Sequence, residues 1–561
     1  MKTQPELPSN RKSTHKTRGQ TANRSQVTER WLKAARKVLS SSSHGAESPS
    51  AYSAQRWRGE ILNFAFEVRE SDLLGRIGTI RVGGKSIETP YMFPVIHPVS
   101  QIVPTGDLSS MGFGGLMTNS YIIHSRSKEE ALREGIHKLL DFDGIFMTDS
   151  GGYQVLEYGD LEIGYHDVAG FQSDIGSDIA VTLDRPTGYP QERPVARDTV
   201  GYSLRNALAT LREFGESATV WVGPVQGGLY TDLVARSARS LVAGGFRFLA
   251  LGSPVQVMEN YMFADLVRMI MAARRAIPYA IPLHLFGAGH PLTMPLAVAL
   301  GCDTFDSASY VIFARSGRYM SRSGIMTLKS MKYLPCSCPV CVRTSVTGLL
   351  ELDYPERTRQ LSTHNLYVLK EELESCKEAI AEGRLWDLVE EKSMAHPRLR
   401  EAFLEIAKFS EDLIPGTPAL KERGLFVRSA GDLMRPELLA AQRRLSRVSR
   451  RDSSVAAVSN DSDGKPRAGK GEDRAVDVYR SHPILGPYPV ELEYLYPFSQ
   501  TEIGDMVPLL TPSESVRRLR KLGYRAVRTN AGEPQPKKTV RNRRNPRGDS
   551  PSPRSSSARS R

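Results

Sequence analysis

Between residues 91 and 310, short apolar runs alternate with longer amphipathic segments, and this alternation constrains the fold more than any other feature of the sequence. Short apolar runs bounded by glycine or polar residues are typical of buried parallel strands, and the segments between them are long enough for helices. Eight such repeats predict an α/β fold, a (β/α)8 TIM barrel. The alternative is an open doubly wound sheet, although no Gly-x-Gly-x-x-Gly opens a helix after the first run. The predicted strands are residues 91–96, 115–119, 144–149, 179–184, 220–226, 246–252, 281–286 and 304–306.

Polar side chains lie at the carboxyl ends of many of these predicted strands. Any one of them also fits a helix N-cap, the usual place for such a residue. In a barrel, however, the carboxyl ends of all strands meet at one mouth, so residues distant in sequence become neighbours. Three aspartates and two amides at that mouth predict a site for a planar, hydrogen-bonding ligand. The polar residues are Asn119, Asp149, Asp184, Gln226 and Asp306, and glycine turns begin at Gly227, Gly252 and Gly287.

Three of the five cysteines fall within six residues, as Cys336, Cys338 and Cys341. Zinc prefers four soft ligands in a tetrahedron, and this Cys-x-Cys-x-x-Cys turn supplies three of them. His364 is the nearest histidine downstream and is the predicted fourth ligand. Because every ligand would be a protein side chain, the spacing predicts one structural Zn2+ per chain rather than a catalytic one. The alternative is a cluster of buried thiols without a metal.

Composition divides the rest of the chain and limits its location. The net charge of +13 favours a polyanionic partner. No secretory signal or membrane span is recognisable, so we expect a soluble, cytoplasmic protein. The predicted segments are a disordered basic arm (1–58), the barrel with its zinc site (59–364), a helical extension (365–444), a flexible linker (445–475), a small C-terminal α+β module (476–530) and a disordered basic tail (531–561).

Several of these motifs together resemble the tRNA-guanine transglycosylase family, and more closely its archaeal branch. The resemblance covers roughly residues 60–440, and its motifs in combination are highly specific. It implies a TIM barrel with an inserted structural zinc site, and exchange of guanine in tRNA for a 7-deazaguanine base. In the archaeal branch the base is 7-cyano-7-deazaguanine at position 15 of the D-arm, a step towards archaeosine. The matching stretches are residues 118–121, 148–154, 176–179 with Asp184, 225–228, 305–308, and the cysteine cluster with His364.

The resemblance also implies a role for each residue at the mouth. Asp306 matches the family's nucleophile and Asp149 its acid/base, an arrangement that retains configuration as in retaining glycosidases. Asp184 would accept hydrogen bonds from the guanine edge and Tyr153 would stack on the ring. Gln226, with backbone groups of Gly227, Leu251, Gly252 and Ser253, would read the carbonyl and the 7-substituent. The family commonly forms homodimers around the zinc region.

Two departures from the family's patterns leave alternatives open. Residues 251–255 read Leu-Gly-Ser-Pro-Val where members that act at the anticodon carry Gly-Gly-Leu-Ala-Val-Gly-Glu. No RNA-binding PUA domain of the family's kind is recognisable in the C-terminal part of the sequence, where the resemblance predicts one. A related enzyme acting on DNA and a non-catalytic tRNA-binding subunit are the alternatives. The second should have lost one of the aspartates, yet Asp149, Asp184 and Asp306 are all present.

Overall fold

The computed structural model describes residues 63–152, 164–449, 453–459 and 476–529. The chain divides into two compact units, one made of Met1–Val448 and Tyr494–Pro508 and the other of Ser449–Glu493 and Leu509–Arg561. Tyr153 and the predicted basic arm and tail lie outside the described residues. Among the helices that the structure describes, none is long and apolar enough to cross a membrane.

The first unit is built on an eight-stranded parallel barrel, as predicted. Counted along the chain, its eight strands lie in the sheet order 1-8-7-6-5-4-3-2. A parallel bridge between Val95 and Met117 joins the two ends of this sheet and closes the barrel. All eight predicted strands are present, several of them shorter than predicted. They are β4 (Tyr91–Pro94), β5 (Gly115–Asn119), β6 (Ile145–Asp149), β7 (Ile179–Val181), β8 (Val220–Val225), β9 (Leu249–Leu251), β10 (Leu283–Leu285) and β11 (Thr304–Ser307).

Alternation along the strands separates the barrel interior from the layer under the helices. In β6, Ile145 and Met147 belong to the interior cluster, whereas Phe146 packs in the outer one. Successive side chains of a strand point to opposite faces, so Asp149 shares the inward face of Ile145 and Met147. The same period places Gln226 in line with the inward Val222.

An antiparallel sheet of three strands, adjacent in chain order, contributes apolar side chains to the same interior cluster. Phe64 and Ile80 of this sheet pack with Ile145, Ile179 and other barrel residues. The amino ends of the barrel strands carry a buried ion pair, in which Arg76 Nε donates to Asp303 Oδ1 over 2.9 Å. The strands are β1 (Phe64–Asp72), β2 (Gly75–Val82) and β3 (Lys85–Thr89).

Helices connect the barrel strands and continue beyond the last of them. In the described part of the chain, the helices up to residue 315 are α1 (Thr105–Ser110), α2 (Ser120–Leu139), α3 (Tyr165–Asp174), α4 (Arg193–Phe214), α5 (Thr231–Ala243), α6 (Val255–Glu259), α7 (Phe263–Arg274), α8 (Met294–Ala299) and α9 (Ser309–Arg315). After a hairpin of β12 (Arg318–Ser321) and β13 (Gly324–Thr327) come α10 (Val346–Glu351), α11 (Tyr354–Ala381), α12 (Leu385–Ser393), α13 (Pro397–Ile406), α14 (Ser410–Leu413) and α15 (Pro436–Ser446). Within this unit β14 (Leu425–Val427) pairs in parallel with β18 (Thr501–Ile503).

Two differences from the predicted segments have local causes. The sequence predicts helical structure from residue 365, but helix α11 begins at Tyr354, so His364 lies inside this helix. The early start has a local cause: the side chain of Asp353 caps the helix by accepting from Glu356 N, and Pro355 suits the first turn. Residues 445–475, predicted as a linker, contain the end of α15 and strand β15 (Val455–Ser459). The other segment boundaries stay predictions.

The described residues of the second unit form a four-stranded sheet and one α-helix. Strand β15 pairs in parallel with β16 (Asp477–His482) and with β19 (Ala526–Thr529), and β16 pairs antiparallel with β17 (Gly486–Pro489). Helix α16 (Pro512–Lys521) starts with a capping box between Thr511 and Glu514. Its Leu519 packs with residues of β15 and β16 in a small core.

Candidate active site

A cavity of about 1040 Å³ opens at the carboxyl ends of the barrel strands. Polar residues from different strands converge on it, as the sequence predicts for one barrel mouth. Its polar lining includes Asn119, Asp149, Asp184, Gln226, Ser253 and Asp306.

Asp306, on β11, is buried and held by two donors on a single oxygen. His284 Nε2 lies 3.0 Å from Asp306 Oδ1, and the backbone N of Gly287 donates to the same oxygen over 2.8 Å. The carboxylate accepts, so the His284 proton is on Nε2, and the Thr304 hydroxyl lies 3.0 Å from Nδ1. No hydrogen bond within the described ranges uses Asp306 Oδ2, so that oxygen is available to a ligand.

Asp149 ends β6 and faces the cavity. Asn119 Nδ2 donates to Asp149 Oδ2 over 3.1 Å, and Asn119 Oδ1 accepts from Ile122 N as the cap of α2. Burial, followed by the nearby charge of Asp306, outweighs the hydrogen bonds that Asp149 accepts, and together these effects raise its pKa to about 6. A carboxyl with this pKa can both give and take a proton near neutral pH.

Asp184 follows β7 and forms a pair with Gln226, which follows β8. Gln226 Nε2 donates to Asp184 Oδ2 over 2.6 Å. Burial, followed by the charge of Asp149, raises the pKa of Asp184 to about 7. Two carboxyls with raised pKa values in one cavity are typical of a functional site.

Two glycines allow the backbone to approach these side chains closely. A Cβ on Gly152 would lie 2.8 Å from Asp184 Oδ1, and one on Gly252 would lie 2.1 Å from Gln226 Nε2. Any larger residue at either position would displace the carboxylate or the amide from its place in the cavity. The glycines after Asp149 and Leu251 are therefore required by packing at the site.

Of the remaining residues predicted for ligand binding, some line the cavity and others do not. Gly252 and Ser253 line the cavity. The N–H of Gly227 is already donated to Thr187 Oγ1 over 3.1 Å, and the Leu251 side chain packs under the helices. Tyr153 lies outside the described residues.

Two residues that contact the site residues, His284 and Thr187, are absent from the predicted site, and a third, Asn119, is predicted at the mouth but without a role. His284 lies between Leu283 and Leu285 in an apolar strand. Because both leucines pack outward under the helices, the histidine between them points inward. Thr187 has no such signal, because its contact with Gln226 joins two separate loops.

The three cysteines and His364 come together as predicted, in a cluster separate from the cavity. Their ligand atoms all lie within 4.8 Å of one another. His364 Nδ1 is 3.4 Å from Cys338 Sγ and 3.3 Å from Cys341 Sγ. A tetrahedral zinc with Zn–S bonds of about 2.3 Å requires ligand separations of about 3.5–3.8 Å, so the cluster fits a metal ion.

The surroundings of His364 also suit a metal ligand. Its Nε2 lies 2.9 Å from the carbonyl oxygen of Met320, to which it donates, and this leaves Nδ1 for the metal. The ring stacks on Tyr319 at 3.7 Å between centroids. This places the histidine in a fixed orientation within α11.

The chain is similar to proteins of known family. The family model for queuine tRNA-ribosyltransferase matches residues 71–398. A tRNA-guanine(15) transglycosylase of Sulfolobus acidocaldarius is 37% identical over 79% of this chain and 89% of its own length. Two proteins with the same name are also similar. The one from Aeropyrum pernix is 40% identical over 81% of this chain and 92% of its own length. The one from Methanopyrus kandleri is 43% identical over 68% of this chain and 83% of its own length. The protein therefore belongs to the queuine tRNA-ribosyltransferase family.

Proposed function

We propose that this protein is a tRNA-guanine(15) transglycosylase, which replaces guanine at position 15 of tRNA with 7-cyano-7-deazaguanine. The observation that carries the proposal is the convergence of Asp149, Asp184, Asp306 and Gln226 on one cavity. The relatives named for this activity match most of the chain.

Asp306 acts as the nucleophile in this mechanism. Its Oδ2 bonds to C1′ of the ribose while the bond from C1′ to the guanine nitrogen breaks, and the electron pair leaves with the base. His284 and Gly287 hold the other oxygen, which orients the carboxylate for attack.

Asp149 moves the proton. In its protonated form, accessible because the pKa is about 6, it protonates the departing guanine. It then takes the proton from the entering base, whose nitrogen attacks C1′ and displaces Asp306. Two displacements on the same carbon return the original configuration.

Asp184 and Gln226 read the base. The ionised carboxylate of Asp184 accepts from the N–H groups of a guanine edge, and Gln226 Nε2 donates to its carbonyl. Adenine presents the opposite order of donor and acceptor, so a site of this kind rejects it.

The Cys336, Cys338, Cys341 and His364 cluster would hold a structural zinc ion. Zinc bound there ties the turn after β13 to α11, because three ligands lie in the turn and the fourth in the helix. We also propose a homodimer formed by the neighbouring surface, where Tyr333 and Val342 expose apolar side chains.

Incubation with labelled 7-cyano-7-deazaguanine and either tRNA or duplex DNA tests the function. We expect label in tRNA alone, mapped to nucleotide 15, and none in a transcript with adenosine at that position. The Asp306→Asn variant is the matched control and should incorporate no label. Label in duplex DNA, or at an anticodon nucleotide, would contradict the proposal.

A further inference from the structure

The side-chain amide of Gln226 is held by protein contacts at both ends. Its Oε1 accepts from the backbone N of Thr187 over 3.0 Å and from Ser253 Oγ over 2.9 Å. Its Nε2 donates to Asp184 Oδ2. A backbone N–H can only donate, so the contact with Thr187 identifies the atom beside it as the oxygen.

Ser253 is arranged to give its hydroxyl proton to this oxygen. Ser253 Oγ accepts from the backbone N of Gly188 over 3.2 Å, which leaves its own hydrogen for Gln226. Ser253 has a φ of 62°, a left-handed conformation that is uncommon for residues with a Cβ. Unfavourable backbone conformations of this kind cluster at functional sites. The turn after β9 thus adopts a strained conformation that places a hydroxyl on the amide.

The consequence is that Gln226 offers a ligand only a donor. The backbone N of Thr187 and the hydroxyl of Ser253 take the two lone pairs of Oε1. The Thr187 hydroxyl also lies 3.2 Å from Oε1, but it has a closer acceptor in Thr199 Oγ1 at 2.9 Å, whose own proton is donated to the carbonyl oxygen of Ala196. The second hydrogen of Nε2 has no partner among the described residues, and Gln226 lines the cavity. A flipped amide would lose both donors and bring Oε1 against the Asp184 carboxylate. The orientation therefore favours a base with a carbonyl and disfavours one with an amino group at the same position.

We propose that Ser253 is a specificity-determining residue that acts through Gln226, by fixing the orientation of its amide. This inference rests on the proposed function, since it concerns the base that the same cavity takes. Ser253 is therefore a positioning residue, and the readout that reports its role is discrimination between two bases.

Calorimetry with two free bases tests this role without requiring exchange. Guanine and 2,6-diaminopurine differ at position 6, where one has an oxygen and the other an amino group, and at N1, where only guanine carries a hydrogen. The groups that face N1 are unchanged in the Ser253 variants, so a change in relative affinity between variants reports the contact at position 6. We measure the dissociation constant of 2,6-diaminopurine divided by that of guanine, in the full chain and in the variants Ser253→Ala and Ser253→Gly. A fall in this ratio means weaker discrimination in favour of guanine. Both variants remove the hydroxyl, but glycine also relieves the left-handed backbone.

We expect the ratio to fall about three- to tenfold in both variants, which corresponds to about 0.7–1.4 kcal/mol. Ser237→Ala is the matched control, because Ser237 Oγ accepts from the backbone N of Gln226 over 3.2 Å and does not touch its amide. This control should leave the ratio unchanged. Thermal melts establish that each variant is folded.

Three results would overturn the inference. They are an unchanged ratio in both folded Ser253 variants, a change with alanine but not glycine, and an equal change in Ser237→Ala. The second would assign the effect to the backbone and the third to general loss of packing. Guanine exchange into tRNA by the unaltered protein is measured separately, and its absence would count against the proposed function instead.

Discussion

Replacing Asp184 by asparagine should make the protein more stable above neutral pH, although it removes a residue of the site. Burial and the charge of Asp149 disfavour the ionised form of Asp184 and raise its pKa to about 7. In the unfolded chain the same carboxyl has the ordinary value of 3.8. Asparagine has nearly the same shape, can accept from Gln226 Nε2 with its oxygen, and carries no charge.

The sign and size follow from the two pKa values. Below about pH 3.8 the carboxyl is protonated in both states and has no electrostatic effect on stability. As the pH rises through 3.8 and then 7, the unfolded state loses its proton first, so the carboxylate increasingly destabilises the folded state. A difference of about three pKa units corresponds to about 4 kcal/mol at high pH. One face of Asp184 opens to the cavity, which reduces the effect. We therefore expect the free energy of unfolding of Asp184→Asn to exceed that of the parent by about 2–4 kcal/mol at pH 8.5 and by about half of that at pH 5.5.

The measurement is urea unfolding at several pH values, followed by tryptophan fluorescence, to which the buried Trp221 and Trp386 contribute. Asp178→Asn is a control in which the change in stability should have the opposite sign. Burial of Asp178 is outweighed by hydrogen bonds from His137 and Phe146 N and by the charge of Lys85, so its pKa is lowered. That variant should lose stability at pH 8.5 and approach the parent as the pH falls through the lowered pKa.

The pH dependence decides the outcome of this comparison. A constant offset between Asp184→Asn and the parent would reflect only altered packing or hydrogen bonding. If the free energy of unfolding does not increase at pH 8.5, or if the difference does not shrink at pH 5.5, the carboxylate is not disfavoured by its site. The electrostatic reasoning would then be refuted.

Three further predictions concern the chemistry, the metal and the RNA. Asp306→Asn should abolish a denaturant-stable protein–RNA adduct, while Asp149→Asn should slow single-turnover exchange about 10²- to 10⁴-fold. If the adduct persists in Asp306→Asn and is lost in Asp149→Asn, Asp149 is the nucleophile and Asp306 the acid/base. Cys338→Ser should lower zinc content and melting temperature together, because structural zinc binding is coupled to folding; an undiminished zinc content would contradict the ligand set. Arg517 and Arg520 are exposed on α16, so replacing both with glutamate should weaken tRNA binding and reduce its salt slope by about 1.4 or more; an unchanged slope excludes this helix from the interface.

The barrel was predictable because its signals are local and repeated. Each strand is a short apolar run, and the two-residue period within it assigns residues such as Ile145 and Phe146 to opposite faces. Chain order then fixes neighbours, so the side chain of Asp149 could be placed at the mouth from sequence. Strand β15 was missed because it is five residues long and lies in a polar stretch. Its pairing with β16 and β19 comes from distant parts of the chain.

The identities of the site residues were more predictable than their hydrogen bonds. Asp149 and Asp306 follow strands, which is visible in the sequence. The bonds that orient Gln226 join loops after three different strands, and no local pattern reports that Thr187 and Ser253 meet on one oxygen. The N–H of Gly227, expected to contact the base, is donated to Thr187 for the same reason. Contacts of this kind depend on how the loops pack.

The pairing of acidic residues separates those that stabilise the fold from those placed for chemistry. Asp303 is buried against Arg76, and Glu437 has a pKa of about 2 because Arg435 and Lys421 outweigh the effect of its burial. Within the described ranges, neither Asp149 nor Asp184 forms an ion pair with a lysine or arginine, although both are enclosed by protein. A cation beside them would favour their ionised forms and lower both pKa values, which would remove the proton that the departing base requires. A fold selected for stability alone would pair or replace these carboxyls, so their unpaired state is itself an argument for proton transfer at this mouth.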